Sequence, residues 1–100
     1  MLIVAGTLQV DPGQRDEFLA GRKDAVVATS SEPGCLEYAF SADLVDPGQV
    51  RIFERWENKE ALARHLDALS RAAQPSGPGI AVLGRDLLQY EISASGPLGS

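Results

Sequence analysis

Residues 50–69 read VRIFERWENKEALARHLDAL, and their apolar residues change from the alternation of a strand to the spacing of a helix. In the first part, Val50, Ile52 and Trp56 alternate with arginines, which predicts a strand with one apolar face, although Phe53 interrupts the polar side. Glu54 shares the parity of the apolar residues, so its carboxylate is expected on their face of the strand. Burial there is costly without a polar partner. This part of the stretch therefore predicts a strand with a carboxylate on its apolar face.

The second part of this stretch predicts a helix that carries the only histidine of the chain. Asn58 is a residue type that favours helix N-caps, and leucines follow at helical spacing from Leu62 to Leu69. His65 lies between these leucines. The strand and the helix are therefore expected to bring the histidine close to the glutamate and the tryptophan.

Composition limits the classes of protein to consider. The chain has 100 residues, 44% of them hydrophobic and 23% charged, which is typical of a single folded domain and not of a disordered chain. The net charge of −5 disfavours nucleic acid and anionic membranes as partners. No window reaches the ~18 apolar residues of a membrane span, and no basic segment marks a signal peptide, so a cytoplasmic protein is predicted. Cys35 and His65 alone are too few ligands for the usual zinc site, and no metal is expected.

The remaining segments predict a βαββαβ order. Strands are expected at residues 2–10, 35–43 and 86–92, and a first helix from 12 to about 29. The second helix is expected to end near Ala72, before the Pro- and Gly-rich residues 74–79, and residues 80–83 form either a helical turn or an extended arm. This order predicts an α+β, ferredoxin-like fold, with a four-stranded antiparallel sheet and helices on one face. Residues 1–93 are interpreted as the domain and 94–100 as a flexible tail, whose final GPLGS is similar to vector-derived sequence.

The second strand predicts apolar residues on both faces of the sheet. Its alternation places Leu36, Tyr38 and Phe40 on one face, and Cys35, Glu37 and Ala39 on the other. A monomer with helices on one side only would leave an apolar face exposed. A second copy of the chain is expected to cover that face.

Two segments carry a resemblance to a known family. Residues 32–38 read EPGCLEY, and residues 53–66 read FERWENKEALARHL, with Glu, Trp and His at a characteristic spacing. In this order, within a short βαββαβ chain, they resemble the antibiotic biosynthesis monooxygenase family, and the resemblance covers about residues 2 to 92. It implies a homodimer that pairs sheet to sheet into a dimeric α+β barrel.

The resemblance also implies a reaction and a set of site residues. Family members oxidise aromatic polyphenols, anthrones or quinols with O2, typically without metal, flavin or haem, because a deprotonated electron-rich substrate can itself reduce O2. His65 is then the expected catalytic base, since imidazole exchanges a proton near neutral pH, and Glu54 would orient it or share its proton. The expected substrate contacts are Trp56, Tyr38, Phe40, Thr7 and Leu69.

Haem-degrading relatives in this family use an Asn on the first strand, a Trp on the second helix and a later His. Here Gly6 and Thr7 occupy the Asn region, His65 stands near the place of the Trp, and no later His exists. Haem oxygenation is therefore not expected.

Purely structural roles for these residues stay open at this point. His65 is then a packed core residue, Trp56 fills the space between strand and helix, and Glu54 pairs with Arg51, Arg55 or Arg85. Two other functions also stay open, namely a small-molecule-binding dimer without activity and an isomerase or cyclase on the same scaffold.

Overall fold

The structure is a computed structural model that describes residues 1–71 and 79–99. Its strands are β1 (Leu2–Gln9), β2 (Cys35–Ala42), β3 (Gln49–Trp56) and β4 (Gly84–Glu91), and its helices are α1 (Arg15–Ser30) and α2 (Lys59–Arg71). The predicted helix end near Ala72 and the predicted loop up to residue 78 lie outside the described residues. Residues 79–83 have no regular secondary structure. The division between domain and tail at residue 93 stays a prediction.

The four strands form one sheet in the order β2-β3-β1-β4, and every neighbouring pair is antiparallel. The first and third strands lie side by side in the middle, so the two halves of the chain interlock. Both helices lie on one face of this sheet. The predicted ferredoxin-like α+β fold is confirmed.

The two helices begin differently. The predicted N-cap of α2 is confirmed, because Asn58 Oδ1 accepts a hydrogen bond from the backbone N–H of Ala61 at 2.9 Å. The first helix starts later than predicted, because Pro12–Gln14 forms a 3-10 turn before it. Asp11 caps this turn by accepting the N–H of Gly13 at 2.8 Å. Neither described helix combines the length and apolar character needed to cross a bilayer.

Two apolar clusters lie between the sheet and the helices. The α2 cluster consists of Leu2, Trp56, Ala61 and Leu62. The α1 cluster consists of Leu8, Val10, Val50 and Ile52, with Phe18 and Leu19 of α1 against it. The alternation in β3 is confirmed, since Val50, Ile52, Glu54 and Trp56 are all buried on the helix side. The sheet therefore has a helix-covered face with a different cluster at each end.

The predicted alternation in β2 is wrong at its first residues. The register of β2 against β3 shifts between Cys35 and Glu37, which is a bulge that inserts an extra residue. Cys35 consequently packs against the α2 cluster together with Tyr38, while Leu36 is 46% exposed. Sequence parity cannot carry across a bulge, because the extra residue reverses the faces.

The helix-free face of the sheet is partly apolar. Phe53, Leu88 and Tyr90 lie on it, and their exposed fractions are 37%, 55% and 47%. Ion pairs flank this surface, with Arg51 Nε 2.6 Å from Asp43 and Arg55 Nε 2.8 Å from Glu37. An apolar surface with a charged border is typical of an interaction site.

Candidate functional site

An open cavity of about 430 Å³ lies between the sheet and the helices. Its apolar wall includes Val4, Phe40, Ile52, Leu62 and Leu87, and its polar or charged lining residues are Arg22, Tyr38, Glu54, His65, Arg85 and Gln89. Leu66 and Leu69 also line it and are each 52% exposed, since no other part of the described chain covers them. A mostly apolar cavity with a few polar groups is the usual form of a small-molecule site.

The imidazole of His65 is held by a carboxylate from a distant loop. Its Nδ1 lies 2.8 Å from Oε2 of Glu32, which follows α1 in the chain. The His65 side chain is 3% exposed, whereas that of Glu32 is 31% exposed. With Glu32 ionised, Nδ1 carries the hydrogen and donates it, so Nε2 keeps the lone pair. The contact thus selects the tautomer in which Nε2 can act as a base.

A close approach between loop and helix sets this contact. Gly34 has a φ of +86°, and a Cβ at this position would overlap the Cβ of Ala61 on α2. The backbone N–H of Glu57 also donates to the carbonyl of Gly34 at 2.8 Å. Only glycine combines this backbone conformation with this proximity. The loop that carries Glu32 is therefore fixed against the start of the helix that carries His65.

Two aromatic rings surround the imidazole. The Trp56 ring centroid lies 4.8 Å from that of His65 at an interplanar angle of 33°, and the Tyr38 centroid lies 5.3 Å away, edge-on at 68°. Burial and the nearby carboxylate of Glu54 raise the pKa of Tyr38 to about 12. Tyr38 is therefore a neutral phenol, able to donate a hydrogen bond, at any physiological pH.

Glu54 has a different partner from those predicted. Its Oε1 accepts a hydrogen bond from Nε1 of Trp56 at 2.9 Å, and no arginine pairs with it in the described structure. Arg51 and Arg55 have the opposite parity on β3 and lie on the other face. The carboxylate in contact with the imidazole is that of Glu32. The family resemblance had implied this role for Glu54. Glu54 instead lines the cavity from β3.

Burial raises the pKa of Glu54 above that of an ordinary glutamate, although the bond from Trp56 and the nearby His65 act in the other direction. The folded state therefore binds this proton more tightly than the unfolded state does. The stability that this proton contributes is fully present below the unfolded pKa of about 4.3, and it is lost as the pH rises through the folded pKa. An uncharged amide at this position would not lose stability in that window.

We therefore expect Glu54→Gln to become more stable relative to the native protein as pH rises from about 4 to about 8. Its amide oxygen can still accept the Trp56 bond. Urea unfolding at a series of pH values measures the difference, and Glu57→Gln, at an exposed position, is the control. Parallel stability curves for the native protein and Glu54→Gln would contradict the raised pKa.

The structure brings together most of the residues expected at the site. His65, Glu54, Tyr38, Phe40 and Leu69 all line the cavity. Two residues are placed elsewhere.

Trp56 is 0% exposed and does not line the cavity, so it is a core residue behind His65 and not a substrate wall. Thr7 points to the helix-free face, where it lines a separate depression with Arg51, Asp86 and Tyr90. Its odd position in β1 explains this, because the buried residues Leu2 and Leu8 of that strand are even-numbered.

Three charged residues of this region were not predicted as site residues from the sequence. Glu32 belongs to the EPGCLEY segment, but its contact with His65 spans 33 positions of the chain. Arg22 and Arg85 line the cavity from α1 and β4. Gly34, two residues after Glu32, was a sequence signal that this loop could approach another element closely. The described residues contain no group of three or more His, Cys, Asp or Glu side chains placed to bind a metal ion.

Comparison with known proteins identifies the class. Residues 1–73 match the antibiotic biosynthesis monooxygenase family model, which is most of the chain and includes both segments quoted above. The chain therefore belongs to the antibiotic biosynthesis monooxygenase family.

Individual relatives agree with this assignment. An uncharacterised protein of Synechocystis, sll1783, is 36% identical over 65 residues, which is 65% of this chain and 44% of that protein. The chain thus matches less than half the length of that relative. A Deinococcus radiodurans structure named for the same family is 27% identical, with a TM-score of 0.72 and full coverage of both chains. The haem-degrading MhuD of Mycobacterium tuberculosis has a TM-score of 0.74 at 17% identity, over 97% of this chain and 100% of that one, which shows a shared fold.

Proposed function

We propose that this protein is a cofactor-independent monooxygenase that oxidises an aromatic polyphenol, anthrone or quinol with O2. The observation that supports this most strongly is the His65 imidazole in the wall of an apolar cavity, with its Nδ1 bonded to Glu32 at 2.8 Å. Membership of the monooxygenase family agrees with it. An oriented base beside an apolar pocket is what such chemistry requires of a protein.

The proposed first step is proton removal by His65. Its Nε2 takes a proton from a substrate hydroxyl or from an activated ring C–H, and the imidazolium that forms is stabilised by the carboxylate of Glu32. The apolar wall excludes water, so the substrate anion keeps its electron density available. The residues thus generate the electron-rich species that reacts with oxygen.

The second step needs no further protein group to supply electrons. The substrate carbanion transfers an electron to O2, and recombination of the radical pair gives a peroxide anion at the same carbon. This anion takes back the proton held by the His65 imidazolium and becomes a hydroperoxide. Loss of water then converts C–H and O–O–H into a carbonyl. One oxygen atom enters the product and the other leaves as water.

Glu54 is proposed as the proton donor for this loss of water. Its raised pKa keeps a proton available to a higher pH than in an ordinary glutamate, and it reaches the cavity beside His65. Its Oε1 is engaged by the Trp56 N–H, and its second oxygen has no hydrogen-bond partner among the described residues. A carboxylic acid in this position can protonate the departing hydroxide.

Haem is a separate case, because MhuD has two haems in its active site. This chain offers a single histidine, which already uses Nδ1 for Glu32, and it has Gly6 and Thr7 where those relatives use an asparagine. Since these residues do not fit that pattern, the proposed reaction does not involve haem. A Soret shift on titration with hemin that disappears in His65→Ala would contradict this conclusion.

A homodimer is proposed as the working form. The partly exposed Phe53, Leu88 and Tyr90 of the helix-free face would be buried between two sheets, with the flanking ion pairs at the rim. Analytical ultracentrifugation at micromolar concentration is expected to show twice the monomer mass. A monomer there would contradict the dimer without affecting the proposed chemistry of the cavity.

The proposed reaction is tested by isotope labelling. Purified protein treated with a chelator is incubated with a panel of anthrones and hydroquinones under ¹⁸O2, and O2 uptake is followed with an electrode. We expect uptake of one O2 per product, with one ¹⁸O atom in the product. Boiled protein corrects for spontaneous oxidation, and air-saturated H2¹⁸O with ¹⁶O2 identifies exchange with solvent.

The other functions predict different outcomes in this experiment. Substrate conversion at equal rate without O2 would show an isomerase or cyclase. Ligand binding without oxygen uptake across the whole panel would show a binding protein. Activity that disappears on chelation and returns with added metal would contradict the cofactor-independent mechanism.

A further inference from the structure

Two arginines line the cavity without a carboxylate partner. Arg22 on α1 and Arg85 on β4 both contribute to the lining, and neither forms an ion pair within residues 1–71 and 79–99. The guanidinium of Arg22 lies 5.7 Å from the ring centroid of Phe18. Arginine placed on an aromatic ring keeps its N–H donors free for another group.

The other arginines that hold a position do so through protein acceptors. Arg15 donates to the backbone carbonyls of Asp43 and Asp46, at 3.1 Å and 2.8 Å. Arg51 and Arg55 pair with Asp43 and Glu37 on the helix-free face. The cavity pair therefore differs from these three in having no acceptor within the described protein.

Arg85 lies near the end of the cavity opposite to His65, and Arg22 lies on the α1 wall, where its charge also acts on Tyr38. Arg85 is paired with Leu8 across β4 and β1, and Phe18 beneath Arg22 packs against the same α1 cluster. Glu54 is paired with Val4, four residues away along β1, and His65 contacts the α2-cluster residue Trp56. At ~3.3 Å per strand residue, Arg85 and Glu54 are therefore separated by about 13 Å along the strand direction of the sheet.

The cavity therefore has an acid–base end at His65 and Glu54, a cation near its other end in Arg85, and a second cation, Arg22, on the α1 wall. We propose that the ligand of this cavity is an amphipathic molecule whose fused apolar ring system lies between the two ends, with an anionic group, such as a carboxylate or sulfonate, bound by Arg22 and Arg85. The distance is long enough for a polycyclic body. The guanidinium groups supply forked donors that match such an anion.

A matched pair of fluorescent probes tests this proposal. 8-Anilinonaphthalene-1-sulfonate and N-phenyl-1-naphthylamine share the same ring system, and only the first carries an anionic group. Both become fluorescent in apolar surroundings. Energy transfer from Trp56, the only tryptophan, reports that the probe is bound to the protein.

We expect the native protein to bind the sulfonate more tightly than the neutral amine, and less so as ionic strength rises. In the double variant Arg22→Gln and Arg85→Gln, the affinity for the sulfonate should fall about tenfold or more. The affinity for the neutral amine should change by less than about twofold. Arg64→Gln, at an exposed position on α2 that does not line the cavity, is the control and should leave both affinities unchanged.

Two results would overturn the proposal. An equal loss of affinity for both probes in the double variant would show that the arginines only support the shape of the cavity. Unchanged affinity for the sulfonate would show that no anionic group is bound there. Circular dichroism of each variant confirms that the protein remains folded.

The proposal rests on the proposed function only in treating this ligand as the substrate. The probe experiment requires no turnover, so failure of the oxygenation assay leaves it intact. If the probes behave as expected and no substrate consumes O2, the anionic subsite stands and the monooxygenase assignment fails. If oxygenation occurs while the probes show no arginine dependence, the assignment stands and the subsite fails.

Discussion

Replacing Trp56 by alanine is expected to lower the free energy of unfolding by about 3–5 kcal/mol. Its side chain is 0% exposed and forms the centre of the α2 cluster. The substitution removes a large packed ring from between strand and helix and leaves a cavity in its place. It also removes the donor that bonds Glu54 at 2.9 Å, so a buried carboxyl group loses its partner. Since the total free energy of unfolding of a small domain is only about 5–15 kcal/mol, this loss is a large share of the stability.

Urea unfolding followed by far-ultraviolet circular dichroism measures this change, because the variant lacks the fluorescent residue. Leu44→Ala is the control, since Leu44 is 99% exposed and surface changes usually stay within about 0.5 kcal/mol. Trp56→Phe separates the two causes, because it keeps much of the ring packing and loses the N–H donor. A loss below about 1 kcal/mol in Trp56→Ala would show that the α2 cluster does not depend on this ring.

Replacing His65 by alanine is expected to slow substrate oxidation about 10²- to 10⁴-fold. The variant lacks the Nε2 lone pair that takes the substrate proton, while Glu32 remains in its loop without the imidazole. Initial rates of O2 uptake measure the effect with whichever anthrone or quinol the native protein oxidises. Arg64→Ala, an exposed change one residue earlier on α2, controls for general effects on the helix.

Addition of free imidazole distinguishes a chemical role of His65 from a structural one. The deleted side chain leaves a space between the rings of Trp56 and Tyr38, which lie 4.8 Å and 5.3 Å from the native imidazole. Imidazole bound there should restore part of the rate in a concentration-dependent manner. A folded His65→Ala variant that retains activity within about threefold of native would show that His65 is not the base.

Local periodicity predicted the fold well because the decisive patterns are local. The alternation in β3 placed Glu54 and Trp56 on one buried face, and the N-cap at Asn58 marked the start of α2. The strand order follows from such segments together with short connections. The bulge after Cys35 was not predictable, because one extra residue leaves no periodic trace in so short a strand.

The candidate site was less predictable because its contacts are tertiary. The sequence indicated that Glu54 and His65 are close to each other, as they are in the cavity lining, but it did not indicate that Glu32 contacts the imidazole. Glu32 lies 33 positions away, and its reach depends on how closely the loop approaches α2. The arginines of the cavity come from two further elements, so no single stretch of sequence contains the site.

The contact between Gly34 and Ala61 also offers a way to adjust proton transfer from a distance. Neither residue can be ionised, yet together they set the spacing between the loop of Glu32 and the helix of His65. A bulkier residue at position 61 would push the loop away from the helix. This would lengthen the hydrogen bond between carboxylate and imidazole without removing either titratable group. The distance between carboxylate and imidazole thus depends partly on the volume of a small aliphatic side chain, which gives protein engineers a control separate from the reactive groups.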